Sequence, residues 1–202
     1  MKIMPSRLRL RRVFGPLVRI VARGFIRLEI SPNVISVLAF LLGLCAAIVL
    51  AFFHGYVIYG VLVFCAGLLD GVDGEVARQT KQTSITGGFL DSMLDRLVDV
   101  IVLFPFLWLP NPLPQFGPTV WWVALAMTGS LLVSYTRSRA QAAGVMDTDV
   151  GLAARSERLF ILVVTCLLVV VFPAFPYLGL LLVAILSHLT VVYRVFYYRH
   201  QL

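Results

Sequence analysis

The chain has 202 residues, 60% of them hydrophobic and 13% charged, with a mean hydropathy of +0.93 and a formal net charge of +7. Soluble domains are about 45–50% apolar and about 25% charged, so these figures exclude both an ordinary soluble domain and a disordered chain. Three stretches free of Asp, Glu, Lys and Arg set the class: residues 30–69 (40 residues), 100–136 (37) and 159–193 (35). A bilayer-spanning helix needs roughly 20 apolar residues, so each stretch holds about two crossings and a turn. The expectation is an all-α, polytopic membrane protein forming a single domain over residues 1–202.

Residues 1–30 carry Lys2, Arg7, Arg9, Arg11, Arg12, Arg19, Arg23 and Arg27. Arginines interrupt every apolar run here, which argues against a signal peptide. Arg12, Arg19, Arg23 and Arg27 share roughly one helical face, and Val13, Leu17, Val21, Phe25 and Leu28 can occupy another. That pattern predicts an amphipathic juxtamembrane helix lying on the membrane surface. Ser31-Pro32-Asn33 then breaks the chain and starts a bundle of six transmembrane helices over residues 33–199. The predicted helices are 33–53, 57–78, 85–109, 119–143, 151–172 and 177–199. Between them lie a short turn at His54-Gly55-Tyr56, polar links at 79–84 and 144–150, a proline-rich loop at 110–118, and a turn marked by Pro173 and Pro176. Cys45, Cys65 and Cys166 lie far apart in apolar runs, without metal-ligand spacing, and read as small hydrophobes.

Charge placement gives orientation. The turns between the first and second, third and fourth, and fifth and sixth helices carry no charge, and all 17 Lys and Arg lie on the opposite side. The positive-inside rule puts that side, with both termini, in the cytoplasm. The net charge therefore describes a membrane face rather than a nucleic-acid partner.

Charges inside membrane helices are costly and usually functional. Asp70 and Asp73 are three residues apart near the end of the second helix, and Asp91 and Asp95 are four apart near the start of the third. Each pair shares a helix face, and the short link lets the pairs face one another. Divalent metal ions would relieve the repulsion, and an all-oxygen set suits Mg²⁺ or Mn²⁺ rather than zinc. Gly67, Gly71, Gly74, Ala77, Gly87 and Gly88 lie among the acids and let a ligand approach. On spacing alone two other readings stay open: acids paired with Arg78, Arg96, Arg137 or Arg139 as structural glue, and a proton or cation path.

Asp70, Asp73, Gly74, Ala77, Arg78, Gly87, Asp91 and Asp95 spell D-x2-DG-x2-AR-x8-G-x3-D-x3-D. This pattern resembles the full signature of the CDP-alcohol phosphotransferase family, and the six-helix layout resembles that family along essentially the whole chain. The resemblance implies that Asp70, Asp73 and Asp91 bind metal, that Asp95 shares a second ion and that Asp95 is the general base. It implies that Gly74 and Arg78 contact the cytidine diphosphate, with Ser84 as a hydroxyl contact. Pro32, Asn33, Val34 and Ile35 match a Pro-Asn motif that touches the nucleotide. A homodimer is implied by resemblance only.

Arg137, Arg139, Arg155, Arg158 and Arg194 lie near the cytoplasmic ends of three helices. Arginine forks suit phosphate oxygens, so the set is expected to bind the phosphate of a phosphorylated polyol acceptor. The alternative is that these arginines set topology and snorkel to lipid headgroups. Residues 134–140 and 151–159, with Asp95-Arg96, look like the inositol-phosphate-accepting branch of the family. Arg137 stands where bacterial members often carry Lys, and Asp91-Ser92 replaces an Asp-Pro common in glycerol-phosphate-accepting members. The expected activity is transfer of a phosphatidyl or archaetidyl group from a CDP-linked lipid to inositol phosphate, with release of CMP. The readings weighed against it are a glycerol-phosphate acceptor, a soluble CDP-inositol donor and a non-enzymatic divalent cation carrier. Glu75 is expected to pair with Arg78, Asp99 and His188 to be packing residues with hydrogen-bond partners, and His54 and His200 to be interfacial.

Overall fold

The computed structural model describes residues 13–146, 148 and 150–201. Lys2, Arg7, Arg9, Arg11 and Arg12 of the amphipathic segment, and Asp147 and Asp149 of the second polar link, lie outside the described residues. Among the described residues the structure is all helical, in two compact units, Leu10–Leu109 and Pro110–Leu202.

The first unit opens with α1, Gly15–Arg27. It ends where Glu29 adopts a left-handed conformation (φ 55°) and the Ile30 N–H reaches the Phe25 carbonyl at 3.1 Å. That bond satisfies a carbonyl the helix end would otherwise leave open. Part of the apolar face assigned from sequence to the membrane surface packs instead on protein. Ala22 forms a core with Ile35, Val72 and Val76, flanked by Val18, Val21, Phe25 and Ile26. Val13, Ile20 and Leu28 remain exposed.

α2 spans Pro32–Phe53 and begins on Pro32, whose missing N–H costs nothing in a first turn. α3 spans Tyr56–Gln79 and closes as α1 does, with Lys81 left-handed (φ 57°) and the Gln82 N–H on the Ala77 carbonyl at 3.0 Å. α4 spans Ile85–Ile101, with the Ser84 hydroxyl accepting from the Gly87 N–H at 3.0 Å as its cap. The sequence predicted a helix running on to residue 109. The chain instead turns into a 3₁₀ segment at Phe104–Leu107, because Pro105 has no N–H to donate and disfavours helix at the residue before it. The Tyr59 hydroxyl donates to the Val102 carbonyl (2.8 Å) at this end. α2 packs against both α3 and α4, which touch each other far less. Its buried stripe is built of small residues: Ser36, Ala39, Gly43, Ala46 and Ala47, with Ile35 and Leu50.

In the second unit, α5 is Thr119–Ala142, α6 is Arg155–Leu167 and α7 is Phe175–Arg199. α7 packs against both of the others. Gly129 lets α5 close on α7, since a Cβ there would lie 2.7 Å from that of Ser187. The helix predicted at 151–172 is shorter. Residues before Arg155 form a loop held on α7, and a 3₁₀ turn at Leu168–Val170 precedes Pro173. The loop before α5 is closed by Asn111, whose side chain donates to the Gly117 carbonyl and accepts from the Leu113 N–H, both at 2.9 Å.

α2, α3, α5 and α7 are long and apolar enough to cross a membrane. Many of their large apolar side chains face outward, among them Leu41, Phe52 and Phe53 of α2 and Leu182 and Ile185 of α7. In water such faces would drive association, whereas in hydrocarbon they are ordinary. α4 carries Asp91, Asp95, Arg96 and Asp99, and α6 has 13 residues, so neither joins that set.

Candidate functional site

Asp70 and Asp73 sit in the second half of α3, and Asp91 and Asp95 flank the middle of α4. One carboxylate oxygen from each of Asp70, Asp91 and Asp95 lies within 4.8 Å of the others. All three acids are partly buried. Like charges held this close repel one another unless a cation joins them. The donors are all hard oxygens, the set that Mg²⁺ or Mn²⁺ accepts. The residues present therefore fit a divalent metal.

Asp73 is placed differently, although one turn from Asp70. It is buried, its Oδ2 accepts the Ser36 hydroxyl at 2.6 Å, and its Oδ1 accepts the Gly74 N–H at 2.5 Å. It stands one helical turn from Asp70 on α3. Sequence reasoning passed over Ser36, because a serine in a helix commonly bonds its own backbone four residues back. Its Oγ does lie 3.2 Å from the Pro32 carbonyl. The available signal was its register, on the same small-residue stripe as Ala39 and Gly43.

The expected nucleotide contacts divide. Ile35 is fully buried in the core with Val72 and Val76, while Val34 is exposed. Asn33 is the polar side chain of the Pro-Asn motif. A Cβ on Gly87 would lie 3.1 Å from Asn33 Oδ1 and 2.9 Å from Ser84 Oγ, so the absence of that atom lets the two side chains converge at the start of α4. Gly74 stands beside Arg78, whose Nη2 donates to Glu75 at 2.7 Å. Glu75 also accepts from Gln79 at 2.8 Å, so the expected Glu75–Arg78 pairing is present. Asp99 is buried, and His188 Nδ1 lies 3.0 Å from the Ala184 carbonyl, as a packing role requires.

In the second unit, Arg137 and Arg139 are exposed at the end of α5, and Arg155 is half-buried at the start of α6. Arg158 and Arg194 are buried, only 2% and 3% exposed. Arg158 donates to the Ala153 carbonyl at 3.2 Å. Arg194 donates through Nε to the Val150 carbonyl at 2.8 Å and through Nη1 to the Val133 carbonyl. Thr190, Arg194 and Tyr198 recur every four residues along α7 and grip one loop. The Thr190 hydroxyl accepts from the Ala153 N–H (3.1 Å), and the Tyr198 hydroxyl donates to the Thr148 carbonyl (2.8 Å). Gly151 (φ 130°) makes the grip possible, since a Cβ there would meet the Thr190 methyl at 2.6 Å.

The sequence pattern of the CDP-alcohol phosphatidyltransferase family matches residues 29–193. The chain belongs to this family. The four motif aspartates lie inside the match, as do Arg137, Arg139, Arg155 and Arg158, and Arg194 lies one residue beyond it. The chain is 36% identical to the archaetidylinositol phosphate synthase of Pyrococcus horikoshii over 187 residues, covering 92% of each. Solved structures of the Mycobacterium tuberculosis phosphatidylinositol phosphate synthase are similar too. The one with CDP-DAG bound has a TM-score of 0.76 at 27% identity, covering 89% of this chain and 92% of that one. The one with manganese and citrate has a TM-score of 0.76 at 26% identity, covering 90% and 88%. As a CDP-alcohol phosphatidyltransferase the chain is a membrane enzyme, in keeping with its four helices able to span a bilayer.

Proposed function

We propose that the chain transfers a phosphatidyl or archaetidyl group from a CDP-linked lipid to inositol phosphate and releases CMP. The observation that carries this reading is the convergence of Asp70, Asp91 and Asp95 within 4.8 Å on a family-matched motif. The relatives' names supply the acceptor, and the arginines of the second unit agree with a phosphorylated one.

Asp70, Asp91 and Asp95, with Asp73 beside them, would together hold Mg²⁺ or Mn²⁺, and the family pattern implies two ions. Bound there, the metal supplies positive charge for the diphosphate oxygens. Asn33, Ser84 and Arg78 receive the nucleotide, and Gly74 keeps the backbone beside Arg78 open to it. Asp95 takes the proton of the acceptor hydroxyl. That oxygen bonds to the lipid-side phosphorus, the bond from this phosphorus to the bridging oxygen breaks, and CMP leaves with the bridging oxygen and its electron pair. Arg137, Arg139 and Arg155 offer forked contacts to the acceptor phosphate, while Arg158 and Arg194 brace the loop between α5 and α6.

The wider arrangement belongs to the same proposal. The chain acts as a single six-span domain with its site and both termini at the cytoplasmic face, among membrane lipids, as a homodimer. The test is CMP release by the purified protein from CDP-lipid with Mn²⁺ and inositol phosphate, glycerol phosphate, inositol or serine in turn. Release with inositol phosphate far above the rest is expected. Preference for glycerol phosphate or free inositol would move the acceptor, and the absence of release with any of them would defeat the reading.

A further inference from the structure

We infer that Ser36 is a positioning residue for Asp73, and that it keys the first turn of α2 to the metal-binding acids. The inference rests on the metal-dependent transfer proposed above.

Ser36 and Asp73 are both buried, 7% and 4% exposed, and come from different helices, 37 positions apart. The hydroxyl has one proton and two acceptors in reach, the Pro32 carbonyl at 3.2 Å and Asp73 Oδ2 at 2.6 Å. The nearer acceptor is the carboxyl oxygen, and 2.6 Å lies in the range of hydroxyl-to-carboxylate bonds, about 2.5–2.7 Å. The proton therefore goes to Asp73. With the Gly74 N–H on Oδ1, both oxygens of Asp73 are pinned. A carboxylate has about four lone-pair sites, so two donors orient it without exhausting it. Partners of this kind set the direction in which a ligand group presents its remaining lone pairs.

The position of Ser36 adds a second consequence. Its own turn carries Asn33, whose Oδ1 stands beside Gly87 and the Ser84 hydroxyl at the start of α4. One turn of α2 thus touches both halves of the motif: α3 through Ser36 and α4 through Asn33. α3 and α4 make little direct contact, so this turn fixes the relative placement of Asp73 and the α4 acids.

The test uses full-length protein in detergent, stripped of metal and titrated with Mn²⁺ by electron paramagnetic resonance. Turnover and thermal stability are measured alongside for Ser36→Ala, Ser36→Cys and Ser36→Thr. Ser36→Ala should weaken Mn²⁺ binding about tenfold or more and lower kcat within the 10–100-fold range typical of such partners. The KM for inositol phosphate should hold. Ser36→Cys keeps the volume but donates weakly, so it should follow Ala. Ser36→Thr restores the hydroxyl and should recover most of both losses. Wild-type Mn²⁺ affinity and kcat in Ser36→Ala would overturn the inference. So would equal losses in Ala, Cys and Thr that track only a fall in stability. Failure of the wild-type protein itself to bind Mn²⁺ would instead defeat the metal reading on which the inference rests.

Discussion

Charged side chains drawn into the helices are handled in opposite ways in the two units. In Leu10–Leu109, carboxylates gather against carboxylates, with oxygens of Asp70, Asp91 and Asp95 within 4.8 Å of one another. In Pro110–Leu202, the buried guanidinium groups of Arg158 and Arg194 spend donors on backbone carbonyls of Val133, Val150 and Ala153. In the first arrangement, carboxylates this close repel one another, and a bound cation would relieve the repulsion. The second satisfies the charge with protein dipoles and ties loop to helix. The gathered carboxylates suit a metal ion, the buried guanidinium groups meet backbone carbonyls, and the exposed arginines are the better candidates for substrate.

Substitutions can break this contrast, beginning with the largest effect. Asp95→Asn should cut turnover by about 10²–10⁴-fold, the usual worth of a positioned general base. CDP-lipid affinity should stay within roughly tenfold, because Asp70, Asp73 and Asp91 remain to hold metal. Near-normal CMP release in this variant would remove Asp95 from the role of base. Asp70→Ala should weaken metal and nucleotide binding together, as titration calorimetry would report.

The next effect lies in the second unit. Arg155→Ala should raise the acceptor KM by roughly 10–150-fold, the equivalent of a lost charge-assisted contact of about 1.5–3 kcal/mol, with CDP-lipid affinity unmoved. Arg155→Lys should recover part of it, since a point charge cannot make the forked contact. Arg194→Ala should behave otherwise. It removes a charged donor from the Val150 carbonyl and from the Val133 carbonyl, which the Thr136 hydroxyl also meets, so thermal stability in detergent should fall, by about 1.5–3 kcal/mol for each such bond. A loss of acceptor affinity at unchanged stability would place Arg194 with the substrate-binding arginines instead.

The contrast also explains what the sequence could tell. The motif was legible because helical spacing is rigid: residues three or four apart share a face, so Asp70 and the Asp91–Asp95 pair could be placed before any coordinates. The divergence of Asp73 was not, since its partner Ser36 lies on another helix and no local spacing points to it. Of the six spans expected from the hydrophobic runs, four, α2, α3, α5 and α7, are long and apolar enough to cross a membrane. The ends of α4 and α6 were misjudged by several residues, where Pro105 and the α7 grip on the loop near Gly151 outweigh hydropathy. The arginines could not be sorted from sequence, because a run of guanidinium groups looks the same whether it meets phosphate or a carbonyl.

Two smaller changes sharpen the account. Gly129→Ala should destabilise by about 1–3 kcal/mol, because the new Cβ would meet that of Ser187 at 2.7 Å between packed helices. Its metal affinity should not change. Glu75→Gln removes an exposed pair with Arg78, so stability should move by at most about 1 kcal/mol. A large effect on CDP-lipid affinity there would give Glu75 a part in holding Arg78 for the nucleotide.

The most direct measurement follows the atoms. CDP-lipid labelled at the lipid-side phosphorus is incubated with purified protein and inositol phosphate, with Mn²⁺ or with excess chelator. The account requires the label to appear in an inositol-containing lipid as unlabelled CMP is released, only when both metal and acceptor are present, and at a rate lowered by about 10²–10⁴-fold in Asp95→Asn. Label that leaves the lipid with the nucleotide, or transfer that persists at full rate under chelation, would contradict it.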